Sequence, residues 1–457
     1  MRRRRNISGR KGEGGVIILL VAVFMLFVVG AMAALSIDVV TFYTTRSEAQ
    51  LAADAAALAG ARVLANSGMT TFPANPALVL NAETLAISIA NQVATHNLVG
   101  GRNLVAPAEV TVTIDDITAP SNPRVTVQTK RTDVPTFFAR ILGSQQVTVA
   151  ASATAEAYNP SSPTVIATPG GGGPPVAPIC VKPWLLPNID PTQTNAGGNP
   201  IFSPSGAIYN PSLVGQSWPN TTAPSNPNPN GLYALCKGDC SPSGGGITAP
   251  SPGAYYPGAA ADFPAPTQAL PACSNGFNAY QLAVAGCMQQ PISCGVTSNI
   301  NIDTISYGTT RDADTVQAAE CLIHYTAAGD SDSIDPTVVP SPPFQFLAGN
   351  QNPIVLSGAM PAGSDVMVSD SIVTIPVINY PPGAPTPVEV IGFLQVFLNP
   401  QSTTTLPYPT PSLPAPPGSI ELPATIINMA GCGNTVTGNP VFGNGASPVA
   451  VRLISPP

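Results

Sequence analysis

Apolar positions follow different patterns in different parts of the chain. Between Val16 and Ile37 they are continuous, VIILLVAVFMLFVVGAMAALSI, with no charge. At 1.5 Å per residue, a helix over this run is about 33 Å long, enough for a hydrocarbon core of about 30 Å. Peptide groups in lipid must bond within their own segment, so the pattern predicts a membrane-spanning helix over 16–37. From Thr41 to Asn66 the chain turns Ala-rich, TFYTTRSEAQLAADAAALAGARVLAN, with Tyr43, Leu51, Leu58 and Leu64 near one helical stripe. Nothing before Gly60 breaks the helix, so 16–66 reads as one rod about 76 Å long. Its small residues make a slim surface, suited either to packing on the protein's own sheet or to packing in a multi-subunit assembly.

Downstream the period changes. After Pro73 and Pro76, residues 79–98 form a second amphipathic helix with Leu85, Ile89 and Val93 on one face, closed by Gly100-Gly101. Alternation over 109–117 and 124–130 predicts two strands with a Pro-bounded turn between them. Residues 134–142, VPTFFARIL, read as a short helix, and 145–157 as a further strand. A long helix on a small antiparallel sheet would bury the apolar faces of both. Residues 158–178, with a Gly run and several prolines, read as a linker. Beyond it, 187–266 is dense in Pro and Asn and predicts loops and short strands, 313–327 predicts a helix, and 366–378, 388–398, 424–429 and 449–454 predict strands. Residues 400–417 are proline-rich and extended. The fold class expected is α+β. A single transmembrane helix continues into a pilin-like helix-plus-antiparallel-sheet module over 38–157, and a β-rich, loop-rich, disulfide-containing domain follows over 179–457.

Charge and composition give this a direction. Of the 457 residues only 9% are charged, and the formal net charge is −7. The basic side chains Arg2, Arg3, Arg4, Arg5, Arg10 and Lys11 all precede the apolar run, in a cytoplasmic segment 1–15. Positive-inside bias places that end in the cytoplasm and the rest outside, as a single-pass protein of the inner membrane. From Asp38 onward the chain carries 11 basic and 23 acidic side chains, which argues against nucleic acid as a partner. The eight cysteines, Cys180, Cys236, Cys240, Cys273, Cys287, Cys294, Cys321 and Cys432, all lie beyond the run, as disulfides in an oxidising compartment would. Two processing alternatives exist. Ala31-Met32-Ala33 satisfies a signal-peptidase pattern, which would release a soluble binding protein. Prepilin-type cleavage after Gly9 or Gly12 fits less well, because Glu13 precedes the apolar run rather than lying in it.

The first 157 residues resemble the N-terminal module of the TadG-like branch of tight-adherence (Tad/Flp, TadE-like and TadG-like) pilus-assembly proteins. The features are Gly12-Glu13-Gly14-Gly15 before the run, Asp38 at its outer end, Arg46 to Leu51, and the AADAAALAGAR tract holding Asp54 and Leu58. VPTFFARILG and VTVAASATAEA follow downstream. The resemblance implies a membrane-anchored, minor-pilin-like accessory protein of a pilus or secretion apparatus. Its implied partners are membrane lipid and other pilus-assembly or pilin-like proteins, in homo- or hetero-oligomers, and it implies no enzymatic activity and no cofactor. The von Willebrand A domain found in many TadG relatives, with its adhesive metal chemistry, is not carried over to this chain.

Candidate chemistry is sparse. Eight cysteines permit 105 pairings; the pairing expected is Cys236 with Cys240, Cys273 with Cys287, Cys294 with Cys321, and Cys180 with Cys432. The two histidines, His96 and His324, are far apart in sequence and no CxxC pair occurs, which argues against structural zinc. The carboxylates of Asp330, Asp332 and Asp335 suit Ca²⁺ in kind, but the loop lacks the Gly and distal Glu of an EF-hand and reads as a solvated acidic loop. His324 reads as a packed or surface histidine within the helix over 313–327. No GxSxG, HExxH, P-loop or dinucleotide fingerprint occurs, leaving a hydrolase built from two distant carboxylates as the residual enzymatic alternative. Asp38 reads as the point where lipid ends, or as the partner of a cation on a neighbour.

Overall fold

The computed structural model describes residues 13–115, 122–140, 143–159, 161, 176–192, 199–203, 206–218, 233–234, 254–264, 266, 270–303, 309–327, 329–334, 344–366, 368–379, 387–399, 422–432, 441–442 and 447–454. The basic start, Cys236, Cys240, Asp335, the Pro-rich stretch 400–417 and most of 158–178 lie outside them. The fold is α+β with an apolar N-terminal helix. Two compact units are formed, one from Met1–Ala56, Asn91–Val112 and Val127–Ala153, the other from Ala57–Ala90, Thr113–Thr126 and Thr154–Pro457.

Helix α1 runs unbroken over Glu13–Asn66. It ends at Ser67-Gly68, where Gly68 takes φ +81° and a Cβ would lie 2.9 Å from the Ile427 carbonyl oxygen. Only glycine meets both demands. Helix α2, Pro76–His96, starts where proline suits a first helical position, and the Asn75 side chain accepts from the Leu78 N–H at 3.2 Å.

Both helices bury mainly alanines. On α1 the buried positions include Ala49, Ala52, Ala53, Ala56, Ala57, Ala61 and Leu64, while Tyr43 is 78% and Leu51 65% exposed. Of the spaced residues Tyr43, Leu51, Leu58 and Leu64, Leu64 is buried and Leu58 half-buried. On α2 the buried line is Leu78, Ala82, Ala86, Ala90 and Ala94, and Leu85, Ile89 and Val93 flank it half-buried. At Gly60 the reason is visible: a Cβ there would meet Val125 Cγ1 at 3.0 Å and Ala90 Cβ at 3.4 Å. Backbones this close leave room only for small side chains.

The pair Gly100-Gly101 does not cap α2. Both residues have positive φ and turn a hairpin between β1 (Leu98–Val99) and β2 (Arg102–Asn103), as a type I′ turn requires. A four-stranded sheet follows the order β19-β5-β4-β3, with β3 at Val110–Asp115, β4 at Arg124–Pro135, β5 at Gln146–Tyr158 and β19 at Ala450–Ile454. Strand β19 pairs antiparallel with β5, from Ala450 opposite Tyr158 to Ile454 opposite Thr154. The helix expected over 134–142 is absent among the described residues. Strand β4 runs through Pro135, and Thr136–Arg140 forms bends and a turn closed by the Ser144 N–H on the Ala139 carbonyl at 2.9 Å.

In the second unit, β6 (Val176–Ala177) pairs with β18 (Val441–Phe442). An eight-stranded sheet contains β7 (Trp184–Pro187), β8 (Ser217–Trp218), β9 (Tyr233–Ala234), β10 (Ala254–Pro257), β11 (Gly295–Ile300), β15 (Ile372–Asn379), β16 (Val388–Leu398) and β17 (Ala424–Gly431). A small sheet joins β12 (Ser333–Ile334), β13 (Phe346–Leu347) and β14 (Asp365–Val366). Burial along β15, β16 and β17 is nearly continuous, as in a sheet covered on both faces. Alternation then divides two cores: Trp184, Leu186 and Tyr255 enter one, Leu185 and Tyr256 the other. Helices α3 (Ala279–Ala285), α4 (Thr309–Leu322) and α5 (Pro353–Leu356) complete the unit. Sulfur atoms sit at bonding distance in Cys180–Cys287, Cys273–Cys321 and Cys294–Cys432, with Cα atoms 4.2, 5.7 and 5.3 Å apart. Three of the expected pairings are therefore corrected, and the fourth, Cys236 with Cys240, lies outside the described residues. Tertiary placement decides: Cys432 follows β17 and Cys294 precedes β11, both on segments bonded to β16.

Candidate functional site

The first part of α1 leaves a run of large apolar side chains exposed. Ile17, Leu20, Leu26 and Phe27 are 63–75% exposed, and exposure of large apolar side chains continues through Val40. Leaving such a side chain in water rather than an apolar medium costs about 1.5–3 kcal/mol each. By length and composition this helix qualifies as a membrane span; α2 passes the same test but buries part of its surface.

At the outer end of this surface Asp38 is only 2% exposed. Its Oδ1 accepts from the Phe137 N–H at 2.6 Å, and its Oδ2 from the Phe138 and Ala139 N–H groups at 2.8 and 2.9 Å. Three successive amides pointing at one carboxylate resemble the first turn of a helix holding an anion. The pattern that suggested a helix over 134–142 thus reflects one turn whose free amides are taken by a carboxylate 99 residues away. Asp38 is bound within its own unit, a role neither sequence-based alternative contained.

Further along the same unit, charges form a closed network. The Arg102 guanidinium donates to both Glu109 oxygens at 2.6 and 2.7 Å and to both Asp133 oxygens at 2.7 and 3.2 Å. Arg131 also donates to Asp133 and to the Val99 carbonyl. Glu109 accepts in addition from the Val105 N–H at 3.0 Å, and Glu48 from the Gly100 N–H at 2.7 Å. Hydrogen bonding from Arg102 first, with Arg131 assisting, holds the Asp133 carboxyl down at about 2. These bonds fix the β1–β2 hairpin and leave the carboxylates committed to protein donors.

Where α1 ends, an amide ladder ties it to the large sheet. Asn428 donates to the Ala65 carbonyl and, at 2.8 Å, to Gln395 Oε1, while Gln395 donates to Asn66 Oδ1 at 3.3 Å. Thr71 Oγ1 and the Met429 backbone exchange bonds of 3.0 and 3.1 Å, and Asn159 adds one to the Met429 carbonyl at 3.0 Å. Asn66, Gln395, Asn428 and Asn159 are all buried, so each bond satisfies a group that water cannot reach. The Ala65 carbonyl thereby ends on a side chain of β17, and the Asn66 side chain on one of β16.

Other sequence candidates are structural in their contacts. Asp54 is half-buried and accepts from Gln50 at 2.8 Å; Arg46 is exposed and Leu58 half-buried. The solvated reading of the acidic loop is corrected for Asp330 and Asp332, both buried. Asp332 accepts from the Gly349 N–H at 2.8 Å, from Asn352 Nδ2 at 3.0 and 2.9 Å, and from Ser369 Oγ at 2.6 Å. His324 lies beyond the end of α4 with φ 57°, and its Nε2 sits 2.9 Å from Asp370 Oδ2. That bond raises the imidazole pKa.

Sequence reasoning missed Lys182. It is buried, and its Nζ donates at 2.7 Å to both the Val284 and Gly286 carbonyls at the C-terminal end of α3. Burial pushes the amine down to about 7. Lys182, Arg62, Asp370 and Cys180 line a cavity of about 320 Å³. A lone lysine in the apolar stretch VKPWLL was the available signal.

One comparison with known families bears on the exposed helix and on the buried tract that follows it. Residues 15–63 match the family described as putative Flp pilus-assembly TadE/G-like. The matched segment contains the apolar run, Asp38 and most of the buried alanine face. VPTFFARILG and the β5 strand lie beyond the matched residues. No curated protein and no solved structure matches the chain. The TadE/G-like segment supports an accessory role in pilus assembly, and within it the exposed run and the buried tract are the features that structure can interpret.

Proposed function

We propose that the chain is a membrane-anchored accessory component of an Flp-type pilus or secretion apparatus. Residues 16–37 cross the inner membrane, with the basic start in the cytoplasm and the folded units on the extracytoplasmic side. The observation that carries this reading is the exposed apolar surface from Ile17 to Val40, contiguous with a helix whose far end is bonded into the large sheet. A surface of large side chains left bare by the chain's own fold calls for lipid or apolar helices of a partner. Action is mechanical, through packing of this helix with membrane-embedded components, while the disulfide-bearing unit presents a protein-binding or adhesive face. The cysteine pairs fit an oxidising compartment.

The test is removal of the chain from its own cell, with complementation by the full chain and by one lacking residues 1–37. Loss of Flp-type filaments, restored only by the full chain, is expected, together with in-cell crosslinks from α1 to pilus-assembly membrane proteins. Normal filaments without the chain, and no such crosslink, would contradict the proposal.

A further inference from the structure

The turn held by Asp38 displays a distinctive tip. Phe137 is 67% exposed, Phe138 half-buried and Arg140 exposed. The amides of 137, 138 and 139 are fixed 2.6–2.9 Å from a carboxylate on the first residue past the apolar run. The tip's depth is therefore set by α1 itself: where Ile37 leaves the hydrocarbon, Phe137 is alongside. On α1, Val39, Val40 and Tyr43 are 56%, 63% and 78% exposed, extending an apolar and aromatic surface outward. Tyr43 stands five residues beyond Asp38, about 7.5 Å along the axis.

We propose that Phe137, with Tyr43, is a lipid-interface anchor seated at the outer headgroup boundary, with Arg140 turned to the lipid phosphates. The inference rests on the reading that 16–37 crosses the bilayer. Tyrosine favours this zone, a phenyl ring adds apolar area at its inner edge, and a cation beside them suits phosphate groups. The Asp38 carboxylate would repel those phosphates if bare, but three amide donors surround it and it is buried. Lipid is favoured over a protein partner because the tip is bonded directly to the residue that ends the span. The anchor would fix how far α1 slides through the membrane, and with it the height at which the folded units stand.

The experiment uses the full chain in phosphatidylcholine/phosphatidylglycerol vesicles whose acyl chains are brominated either near the headgroup or near the bilayer centre. Phe137→Trp and Phe27→Trp are compared, with the wild-type emission of Trp184 and Trp218 subtracted. Shallow bromines should remove about half of the emission added at 137, and deep bromines a similar share at 27, as an interfacial and a central side chain require. Quenching at 27 with none at 137 would overturn the anchor and leave the span intact. Quenching at neither site would remove the span itself, and the anchor with it.

Discussion

Along α1, residues Ile17 to Val40 and residues Ala49 to Leu64 are both apolar, yet the first set is largely exposed and the second largely buried. The difference is side-chain size. Where the chain packs on itself, Ala and Gly let backbones approach until a Cβ at Gly60 would stand 3.0 Å from Val125. Where it does not, Leu, Phe, Val and Met project outward, each able to cover apolar area in another medium. Hydrophobicity alone therefore does not identify the core; within one continuous helix, residue size separates what the fold uses from what it leaves for lipid or a partner.

The comparison breaks most sharply at Gly60. Gly60→Leu should lower the stability of the detergent-solubilised full chain by about 3 kcal/mol in urea denaturation, because the Val125 and Ala90 side chains already crowd the position. An unchanged midpoint would mean that the alanine face is loosely packed. A smaller effect is expected at the ladder that ends the buried half. Asn428→Ala leaves the Ala65 carbonyl without its side-chain donor, for a loss of about 2 kcal/mol by the same measurement. At the junction of the halves, Asp38→Asn keeps the shape but removes the charge. Exchange of the Phe137, Phe138 and Ala139 amides should quicken roughly tenfold in hydrogen-exchange mass spectrometry; unchanged protection would deny the carboxylate its role. The smallest effect belongs to the exposed half. Leu20→Ala, Phe24→Ala and Phe27→Ala combined should leave the urea midpoint of the folded units within about 0.5 kcal/mol of wild type. A large loss there would show that the run packs on its own chain.

Much of the fold could be read from the pattern of residues, for reasons that differ by element. The strand over 388–398 appears as expected in β16, because a strand buried on both faces needs a nearly continuous apolar run. The C-terminal strand was also legible, but not its partner: β19 pairs with β5, about 300 residues earlier, and no local pattern encodes such a register. The helix misread at VPTFFAR has the same origin, since its amides are claimed by Asp38 from a distant segment. The short helix α3 did carry a local signal, a capping box between Asn278 and Gln281. The buried face of α1 and α2 was not legible from large apolar residues, because alanines form most of it. The cysteine pairs were illegible for want of the strand order that brings Cys294 to Cys432.

The central claim is that α1 divides at Asp38 into a span and a packed, extracytoplasmic half. Its most direct test is protease treatment of intact spheroplasts, with the mass of the N-terminal peptide read from the membrane fraction. The account predicts a membrane-bound fragment that retains the residues before Val16, with the cysteine-bearing unit cut from outside. A soluble protein beginning at Ala34 would contradict it.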